Sequence, residues 1–378
     1  MMDIQGSCDA RFARVRDAFE RNFTELGDVG ASFAMTVEGE FVVDIWGGHR
    51  DAAGTQPWVE DTIVNVYSST KTMTALSALL LADRGELDLH APVARYWPEF
   101  AQNGKEGVEV RHLLSHSAGL AGLDLPYPDD VWYDWDDVAE RLAAQAPWWE
   151  PGTASGYHAI TQGNLVGEVI RRISGRSPGT FLREELAEPL GADFHLGVDP
   201  KHFPRIGELI PPPVTPEEMI EMEPGSIAER TIGGKVVDPA DTKTAAWRQA
   251  EMPAANGHGN ARGIVRIQTL LANHGTAFGQ TLMSPEGCLA VLEEQTNGVD
   301  HVLGLPIRFG LGYGLPGEIM PPTPNDRVCY WGGYGGSVVV CDLENRAAFS
   351  YVMNRMEAGI VGDERGFRLW NAAFESLA

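Results

Sequence analysis

Runs of β-forming residues lie near both ends of this 378-residue chain, and helical patterns fill most of the stretch between them. Residues 32–48 hold two such runs around Glu38-Gly39, which predicts a hairpin. Residues 327–354 hold three more runs, typical of consecutive antiparallel strands, and a terminal helix is predicted over residues 364–377. This arrangement predicts an α+β protein with an antiparallel sheet flanked by helices and an inserted, mainly helical domain.

The domain boundaries follow from the same pattern. We expect an α/β domain to combine residues 1–75 with residues 290–378, and a mainly helical domain with long loops to occupy residues 76–289. Within the helical domain, residues 204–225 are rich in proline and acidic residues, which predicts a long surface loop. Such a loop is either a lid over a site or a solvated connection.

A buried helix is predicted at the tetrapeptide Ser68-Ser-Thr-Lys71. The segment "KTMTALSALLLADRG" (residues 71–85) is apolar on most helical faces, and Gly85 is suited to end the helix. A helix that is apolar all round lies inside the protein. Ser68 is therefore expected at the N-terminal end of a buried helix, with Lys71 one turn further along the same face.

Serine and lysine in this setting suit nucleophilic catalysis. A serine hydroxyl reacts poorly until a base removes its proton, and burial lowers the pKa of a lysine so that its neutral amine can be that base. The N-terminus of the helix adds backbone N–H groups beside the reacting atoms. The alternative is structural: Ser68 caps the helix and Lys71 extends to solvent.

Two further segments can complete such a site. Tyr157 is predicted in a turn before a helix, and a phenol near a lysine can share a proton with it, each lowering the pKa of the other. The segment "YWGGYGGSVVV" (residues 330–340) places glycines around a predicted strand, where a substrate can approach the backbone closely. The N–H groups of Ser68 and Tyr334 would then form an oxyanion hole.

A competing nucleophile is suggested by "GRSPG" at residues 175–179, which fits the G-x-S-x-G turn of α/β-hydrolases. That turn requires a preceding strand, whereas "NLVGEVIRRIS" (residues 164–174) has helical periodicity. Gly175 is thus expected to end one helix, and Ser177 to cap the next, with Pro178 at its first position. A Ser-Asp-His order remains as an alternative, drawn from Ser177, Asp193 or Asp199, and His258 or His274.

Charge and composition exclude several classes of partner. The formal net charge is −24, with no basic run, which disfavours nucleic acid and anionic membranes. No metal-binding spacing and no phosphate-binding glycine loop are found, and the four cysteines lack C-x-x-C spacing, so we expect buried reduced thiols, no metal and no cofactor. The first residues lack a signal-peptide core and no apolar run is long enough to span a bilayer, so we expect cytoplasmic residence.

Five motifs, in order over nearly the whole chain, resemble the class C-like branch of the serine β-lactamase and penicillin-binding protein superfamily. They are Ser68–Lys71 and residues 84–100, 110–120, 151–159 and 256–266. The chain departs from class C β-lactamases at two places. Where those enzymes have Tyr-x-Asn, this chain has Tyr157-His158-Ala159. Where they have Lys-Thr-Gly, it has Trp331-Gly332-Gly333. An aromatic wall in place of a cation suits a neutral ester, and the Trp-Gly-Gly triplet resembles the family VIII carboxylesterases.

This resemblance implies a class C β-lactamase-like fold and the hydrolysis of short-chain esters through an acyl-enzyme on Ser68. Lys71 and Tyr157 would share the role of general base, in a division that the sequence leaves open. The N–H groups of Ser68 and Tyr334 would form the oxyanion hole.

The substrate would be a small-molecule ester. Its expected contacts are Trp331, Gly332, Gly333 and, by its position beside Tyr157, His158, which is otherwise a structural histidine of the turn. The alternatives are a promiscuous β-lactamase, D-peptidase or acyltransferase with the same residues, or a non-catalytic binding protein that kept the fold.

Overall fold

The computed structural model describes residues 3–214, 218, 222–233 and 238–378. Part of the predicted loop at residues 204–225, namely 215–217 and 219–221, therefore lies outside the described residues. Within the described part, the strands are β1 Ile4–Cys8, β2 Gly30–Val37, β3 Glu40–Gly48, β4 Val64–Asn65, β5 Phe194–His195, β6 His258–Gly259, β7 Thr276–Ala277, β8 Gln280–Thr281, β9 Thr296–Val299, β10 Pro306–Phe309, β11 Gly314–Leu315, β12 Val328–Gly332, β13 Val338–Asp342 and β14 Ala347–Met353.

The helices lie mostly between the two groups of long strands. In the same described residues they are α1 Ala13–Glu25, α2 Thr70–Asp83, α3 Val110–Leu114, α4 Trp135–Ala144, α5 Thr161–Ser174, α6 Pro178–Leu182, α7 Ile227–Ile232, α8 Ala245–Gln249, α9 Ala261–Ala272, α10 Pro285–Leu289 and α11 Glu364–Leu377. Short 3₁₀ segments lie at Ala10–Phe12, Tyr67–Ser69, Val93–Arg95, Pro98–Phe100, Val131–Tyr133, Pro200–Arg205, Pro239–Lys243 and Ala290–Leu292, and Arg183–Ala187 is π-helical. No helix of the described chain combines the length and the apolar character needed to cross a bilayer.

One antiparallel sheet contains most of the described strands. Its order is β1-β3-β2-β14-β13-β12-β11-β10-β9, so strands from the two ends of the chain meet at its centre, where β2 pairs with β14. The predicted hairpin is present: β2 and β3 are joined by Glu38 and Gly39, whose φ angles of +51° and +87° suit a two-residue turn. The predicted α+β fold is confirmed, and the domain boundaries near residues 75 and 290 stay a prediction.

Helices cover both faces of this sheet, and the central strands are buried on both sides. Side chains alternate between the two faces because successive residues of a strand point in opposite directions. On one face, Trp370 of α11 packs against Tyr330 and Phe349, and α11 also contacts α1. On the other face, α9 packs on β2 and β14. Cys329 and Cys341 lie opposite each other across β12 and β13 as free, buried thiols.

The helix α2 is buried on every side, as its apolar sequence predicts. Residues 70–81 are all buried, and α5, α6 and α10 pack around them. Its last turn is followed by Gly85, whose φ of +73° is a left-handed conformation that favours glycine after a helix end. Because α2 is packed on every side, the position of its N-terminal residues inside the protein is fixed.

A buried ion pair ties α11 to the sheet. Arg365 Nη1 lies 2.9 Å from Asp28 Oδ1, and both side chains are almost completely buried. The hydroxyl of Tyr351 on β14 donates to the same carboxylate, and Arg365 Nη2 donates to the carbonyl oxygen of Gly335 at 2.8 Å. One guanidinium therefore connects the C-terminal helix, the segment before β2 and the loop after β12.

We expect Arg365→Ala to lower the free energy of unfolding by about 3 to 5 kcal/mol, because it leaves the Asp28 carboxylate buried without its cation. Denaturant titration of the purified variant measures this loss. Arg14→Ala is the matched control, since the pair between Arg14 and Glu375 is exposed and such pairs contribute little. Equal stabilities of the two variants would contradict this role of Arg365.

Candidate active site

Ser68, Lys71 and Tyr157 meet at one point inside the protein. The 3₁₀ turn Tyr67–Ser69 leads directly into α2, and this places Lys71 Nζ 3.1 Å from Ser68 Oγ. The hydroxyl of Tyr157, which lies just before α5, donates to the same Ser68 Oγ at 2.7 Å. The structure thus brings together the three residues that the sequence predicted as catalytic.

The amine of Lys71 is completely buried, and its other polar neighbours are backbone carbonyl groups. Nζ lies 2.7 Å from the oxygen of Ala159 and 3.0 Å from the oxygen of Ala254. Burial holds the pKa of Lys71 well below the usual value of 10.5, because the charged form loses its hydration. A neutral amine has two N–H donors and one lone pair. When the amine is neutral, the two carbonyl oxygens can accept those donors, which leaves the lone pair for the hydroxyl proton of Ser68.

The turn that carries Tyr157 is held by Asp300. Oδ1 of Asp300 accepts the N–H of Tyr157 at 2.9 Å and also the N–H groups of Val302 and Leu303. Burial raises the pKa of the Tyr157 phenol, more than its hydrogen bonds to Ser68 and Trp331 lower it. The phenol is therefore a proton donor at neutral pH. The expectation that Lys71 and Tyr157 lower each other's pKa is wrong, because desolvation raises the pKa of Tyr157, and burial rather than Tyr157 lowers the pKa of Lys71.

Trp331 supports Tyr157 from the sheet. Its Nε1 donates to the Tyr157 hydroxyl at 3.4 Å, its ring packs against Tyr157 and Phe309, and it is 1% exposed. Trp331 therefore contacts the phenol, whereas the sequence predicted an open wall against the substrate. An indole N–H donor thus stands beside the Tyr157 hydroxyl, in the triplet that corresponds to the Lys-Thr-Gly of class C β-lactamases.

His158 does not have the substrate contact that we expected. Its ring is completely buried, with Nε2 accepting the N–H of Leu120 at 3.1 Å and Nδ1 lying 2.6 Å from the oxygen of Gly156. Both ring nitrogens thus bind the backbone, and desolvation lowers the pKa of the ring to about 3. The prediction failed because neighbouring residues of this turn point in different directions. His158 stabilises the turn, as does His116, whose Nδ1 accepts the N–H of His158.

Gly332 and Gly333, at the end of β12, allow the strand to contact the turn that carries Ser68. A Cβ atom on Gly333 would lie 2.2 Å from the oxygen of Val66 and 3.3 Å from the nitrogen of Ser68. Ser337 stabilises the same contact, because its hydroxyl lies 3.0 Å from the oxygen of Val66 and 2.9 Å from Ser69 Oγ. Gly332 in turn lies against residues 361 and 362, where a Cβ would come within 2.6 Å of the backbone. Only glycine fits at either position.

Tyr67, directly before Ser68, was missed by the sequence reasoning. It has a φ of +44°, a left-handed conformation that is strained for a tyrosine, and such strain is concentrated at functional sites. Its buried ring packs against Tyr334 at 5.4 Å between centroids and against Trp247 at 6.2 Å. This packing holds Ser68 and Tyr334, the two residues expected to form the oxyanion hole, beside each other.

Ser177 is a capping residue, as predicted. Gly175 ends α5 with a φ of +70°, Ser177 Oγ accepts the N–H of Thr180, and Pro178 is the first residue of α6. Ser177 Oγ also lies 2.7 Å from Glu251 Oε1. The histidines of the alternative triad are engaged elsewhere: His258 Nδ1 lies beside the oxygen of Asn256 and His274 Nε2 beside that of Leu343. Of the two aspartates, Asp193 pairs with His195 and Arg205, and Asp199 caps the 3₁₀ segment Pro200–Arg205.

The chain is similar over most of its length to proteins of known family. Esterase/beta-lactamase LipL of Mycobacterium tuberculosis is 38% identical over 377 residues, which cover 96% of this chain and 86% of LipL. The crystal structure of a family VIII carboxylesterase covers 99% of this chain and 100% of its own, with a TM-score of 0.92 and 40% identity. A penicillin-binding protein homologue from Caulobacter crescentus has the same coverage and TM-score at 38% identity. A model of the Beta-lactamase family matches residues 19–372, and the chain belongs to that family.

Proposed function

We propose that this serine hydrolase cleaves short-chain carboxylic esters through an acyl-enzyme on Ser68. The observation that carries the proposal is the position of Ser68 Oγ, 3.1 Å from the buried amine of Lys71 and 2.7 Å from the phenol of Tyr157. Relatives named as esterases, including LipL and the family VIII carboxylesterase, support the same chemistry. A binding protein that had lost catalysis would have no use for a lysine buried at this cost.

Acylation begins with the neutral amine of Lys71. Lys71 takes the proton of Ser68, and Oγ attacks the ester carbonyl carbon, whose oxygen becomes an anion held by the N–H groups of Ser68 and Tyr334. The C–O bond to the alcohol then breaks, and Tyr157 gives its proton to the leaving oxygen. The proton on Lys71 returns to the phenolate, so the alcohol leaves neutral and both groups regain their starting states.

Deacylation repeats the same transfers with water as the nucleophile. Tyr157 takes a proton from the attacking water as its own hydroxyl proton passes to Lys71, and Lys71 then gives that proton to Ser68 Oγ as the acyl bond breaks. The carboxylic acid is released. In this division Lys71 is the base of acylation and Tyr157 passes protons to and from the substrate, which fits the opposite directions in which burial shifts the two pKa values.

The residue beside Tyr157 favours esters over β-lactams. At the triplet where class C β-lactamases would place a lysine to hold the carboxylate of a β-lactam, this chain has Trp331, whose buried indole supplies no positive charge. A second candidate activity is β-lactam hydrolysis as a side reaction, which the name of the relative Esterase/beta-lactamase LipL favours. We assign a small-molecule ester as the partner. The net charge of −24 supports the exclusion of nucleic acid and anionic membranes, and cytoplasmic residence stays a prediction.

Labelling and substrate comparison test the nucleophile and the substrate class together. We expect a fluorophosphonate adduct on the Ser68 peptide, and a higher kcat/KM for p-nitrophenyl butyrate than for nitrocefin. Ser68→Ala should abolish both labelling and turnover. Ser177→Ala should keep both and lose about 1 to 2 kcal/mol of stability, because it removes a helix cap and a hydrogen bond to Glu251. An adduct on Ser177, or nitrocefin as the better substrate, would refute the proposal.

The pH dependence of kcat/KM tests whether Lys71 is the general base. Lys71 must be neutral to act, so activity should fall as the pH drops through its lowered pKa, with a midpoint well below 10.5. Lys71→Arg keeps a permanent charge and should lower kcat/KM by about 10³-fold or more. Lys105→Met is the control, because Lys105 is the other buried lysine of the described chain and its pKa is lowered to about 8. Should that variant lose the acidic limb, the titrating base is not Lys71.

Gly333→Ala tests the contact between the glycine strand and the nucleophile turn. The added methyl group would collide with the oxygen of Val66 and crowd the nitrogen of Ser68, moving the oxyanion donors apart. We expect kcat for p-nitrophenyl butyrate to fall about 10²-fold, the size of a lost oxyanion-hole donor. Gly298→Ala on β9 is the matched control, since nothing lies within 4 Å of its added methyl. Equal kcat values for folded samples of both variants would contradict the assignment.

A further inference from the structure

Residues 253–257, between α8 and β6, bind the segment that carries Ser68 and Lys71 through a run of backbone groups. The oxygen of Pro253 accepts the Thr74 hydroxyl at 2.6 Å, and the oxygen of Ala254 lies 3.0 Å from Lys71 Nζ. The other bonds join Asn65 Nδ2 to the Ala255 oxygen at 3.1 Å, the Gly257 N–H to Thr70 Oγ1 at 2.9 Å and the Val66 N–H to the Gly257 oxygen at 2.9 Å. One short stretch of backbone therefore fixes the surroundings of the base.

The side chain of Asn256 holds this stretch in its conformation. It is completely buried, and its Oδ1 accepts the N–H of Met252 at 2.9 Å. Its Nδ2 donates to the oxygen of Trp247 at 2.8 Å and to that of Ala250 at 2.7 Å. A side-chain amide has two N–H donors and an acceptor oxygen, so both donors and the oxygen of this amide are used on the backbone. Asn256 therefore stabilises the turn in which Ala254 lies.

The Ala254 oxygen determines where the lone pair of the neutral Lys71 amine points. Three partners surround Nζ, namely the oxygens of Ala159 and Ala254 and the Oγ of Ser68. With both carbonyl oxygens in place, each N–H has an acceptor and the lone pair faces Ser68 Oγ. Without the Ala254 oxygen, one N–H turns to Ser68 Oγ instead. The amine would then donate to the nucleophile, when catalysis requires it to accept the proton.

We infer that Asn256 is a positioning residue of the reaction: by stabilising the turn at residues 252–256, it holds the Ala254 oxygen against the Lys71 amine and so orients the base toward Ser68. The inference rests on the proposed ester hydrolysis and deepens it. Asn256 bonds only to the backbone of its own segment, so its loss should slow the chemical step and leave substrate binding unchanged.

Asn256→Ala tests this role with p-nitrophenyl butyrate. The substitution removes all three bonds of the amide and releases the turn. Because Lys71 serves in both acylation and deacylation, we expect kcat to fall about tenfold to 10²-fold, the effect of a misplaced catalytic group, while KM stays within about twofold. The rate of fluorophosphonate labelling should fall by a similar factor, since it needs the same activated Ser68.

The pH profile of the same variant separates positioning from a purely structural role. A carbonyl oxygen that accepts a hydrogen bond from an ammonium group favours the charged form, so loss of the Ala254 contact should move the acidic midpoint of kcat/KM to lower pH. His258, whose Nδ1 lies 2.8 Å from the Asn256 oxygen, does not contribute, because burial lowers its pKa to about 3. Among the described residues, the other titratable side chains that interact with the amine lie in other turns: Tyr157, His116 and His158.

Asn354→Ala is the matched control. Asn354 is equally buried, its Oδ1 accepts the N–H of Gly30 at 2.9 Å, and its Nδ2 donates to the oxygen of His49 at 3.0 Å. These bonds join the start of β2 to the residue after β3 and do not involve residues 253–257. We expect a comparable loss of stability by denaturant titration, with kcat and the acidic midpoint of the native enzyme.

Asn256→Ser is the second variant, for the case in which Asn256→Ala does not fold. Its hydroxyl can replace part of the bonding to the backbone, because a hydroxyl both donates and accepts. We expect the same fall in kcat and the same direction of the acidic midpoint, each smaller than in Asn256→Ala.

The outcomes separate this inference from the proposed function. A native kcat in the folded Asn256 variants, or a lower kcat with an acidic midpoint that is unmoved or moves to higher pH, overturns the positioning role and leaves the esterase proposal standing. An equal fall of kcat in Asn354→Ala also overturns it, because general loosening of the fold would then explain the loss. Failure of the native enzyme to hydrolyse p-nitrophenyl butyrate rejects both proposals.

Discussion

The burial of the Lys71 amine against two carbonyl oxygens is the constraint on which the site depends. The oxygen of Ala159 comes from the turn before α5, and the oxygen of Ala254 comes from the segment between α8 and β6. Neither group is near Lys71 in sequence. The amine is therefore satisfied only when α2, the Tyr157 turn and the segment at 254 have all docked, and the same docking brings Tyr157 to Ser68. The contacts that form when these segments fold together are therefore the same contacts that bury the Lys71 amine and lower its pKa.

The fold could be predicted from sequence where local pattern decides the structure. The turn at Glu38-Gly39, the all-apolar α2 and the caps at Gly175 and Ser177 each have a physical cause within a few residues. Ser68 and Lys71 were found because their spacing places them on one helical face. Trp331 needed the family resemblance, whereas Tyr157 was predicted from its turn before a helix and the chemistry of a phenol, although nothing local joins either residue to Ser68.

The other contacts of the site cannot be predicted from the types of the residues that make them. A backbone carbonyl belongs to every residue, so the roles of Ala159 and Ala254 cannot be read from alanine. Tyr67 adopts a conformation that tyrosine disfavours, because contacts with Tyr334 and Trp247 hold it there. Asp300 carried a weak local signal, since aspartates often accept N–H groups two or three residues ahead, but its bond to Tyr157 spans 143 residues.

Trp331 stands where class C β-lactamases have a cationic lysine, so the site lacks that positive charge. Among the described residues, Lys71 is the only lysine or arginine that contacts Ser68 or Tyr157, and burial lowers its pKa and so favours the neutral amine. A neutral ester enters without the loss of an ion's hydration, whereas the carboxylate product finds no cation to hold it. Because the chain also carries a net charge of −24, the product anion is repelled once formed. The site thus distinguishes substrate from product by charge, which favours release after each turnover.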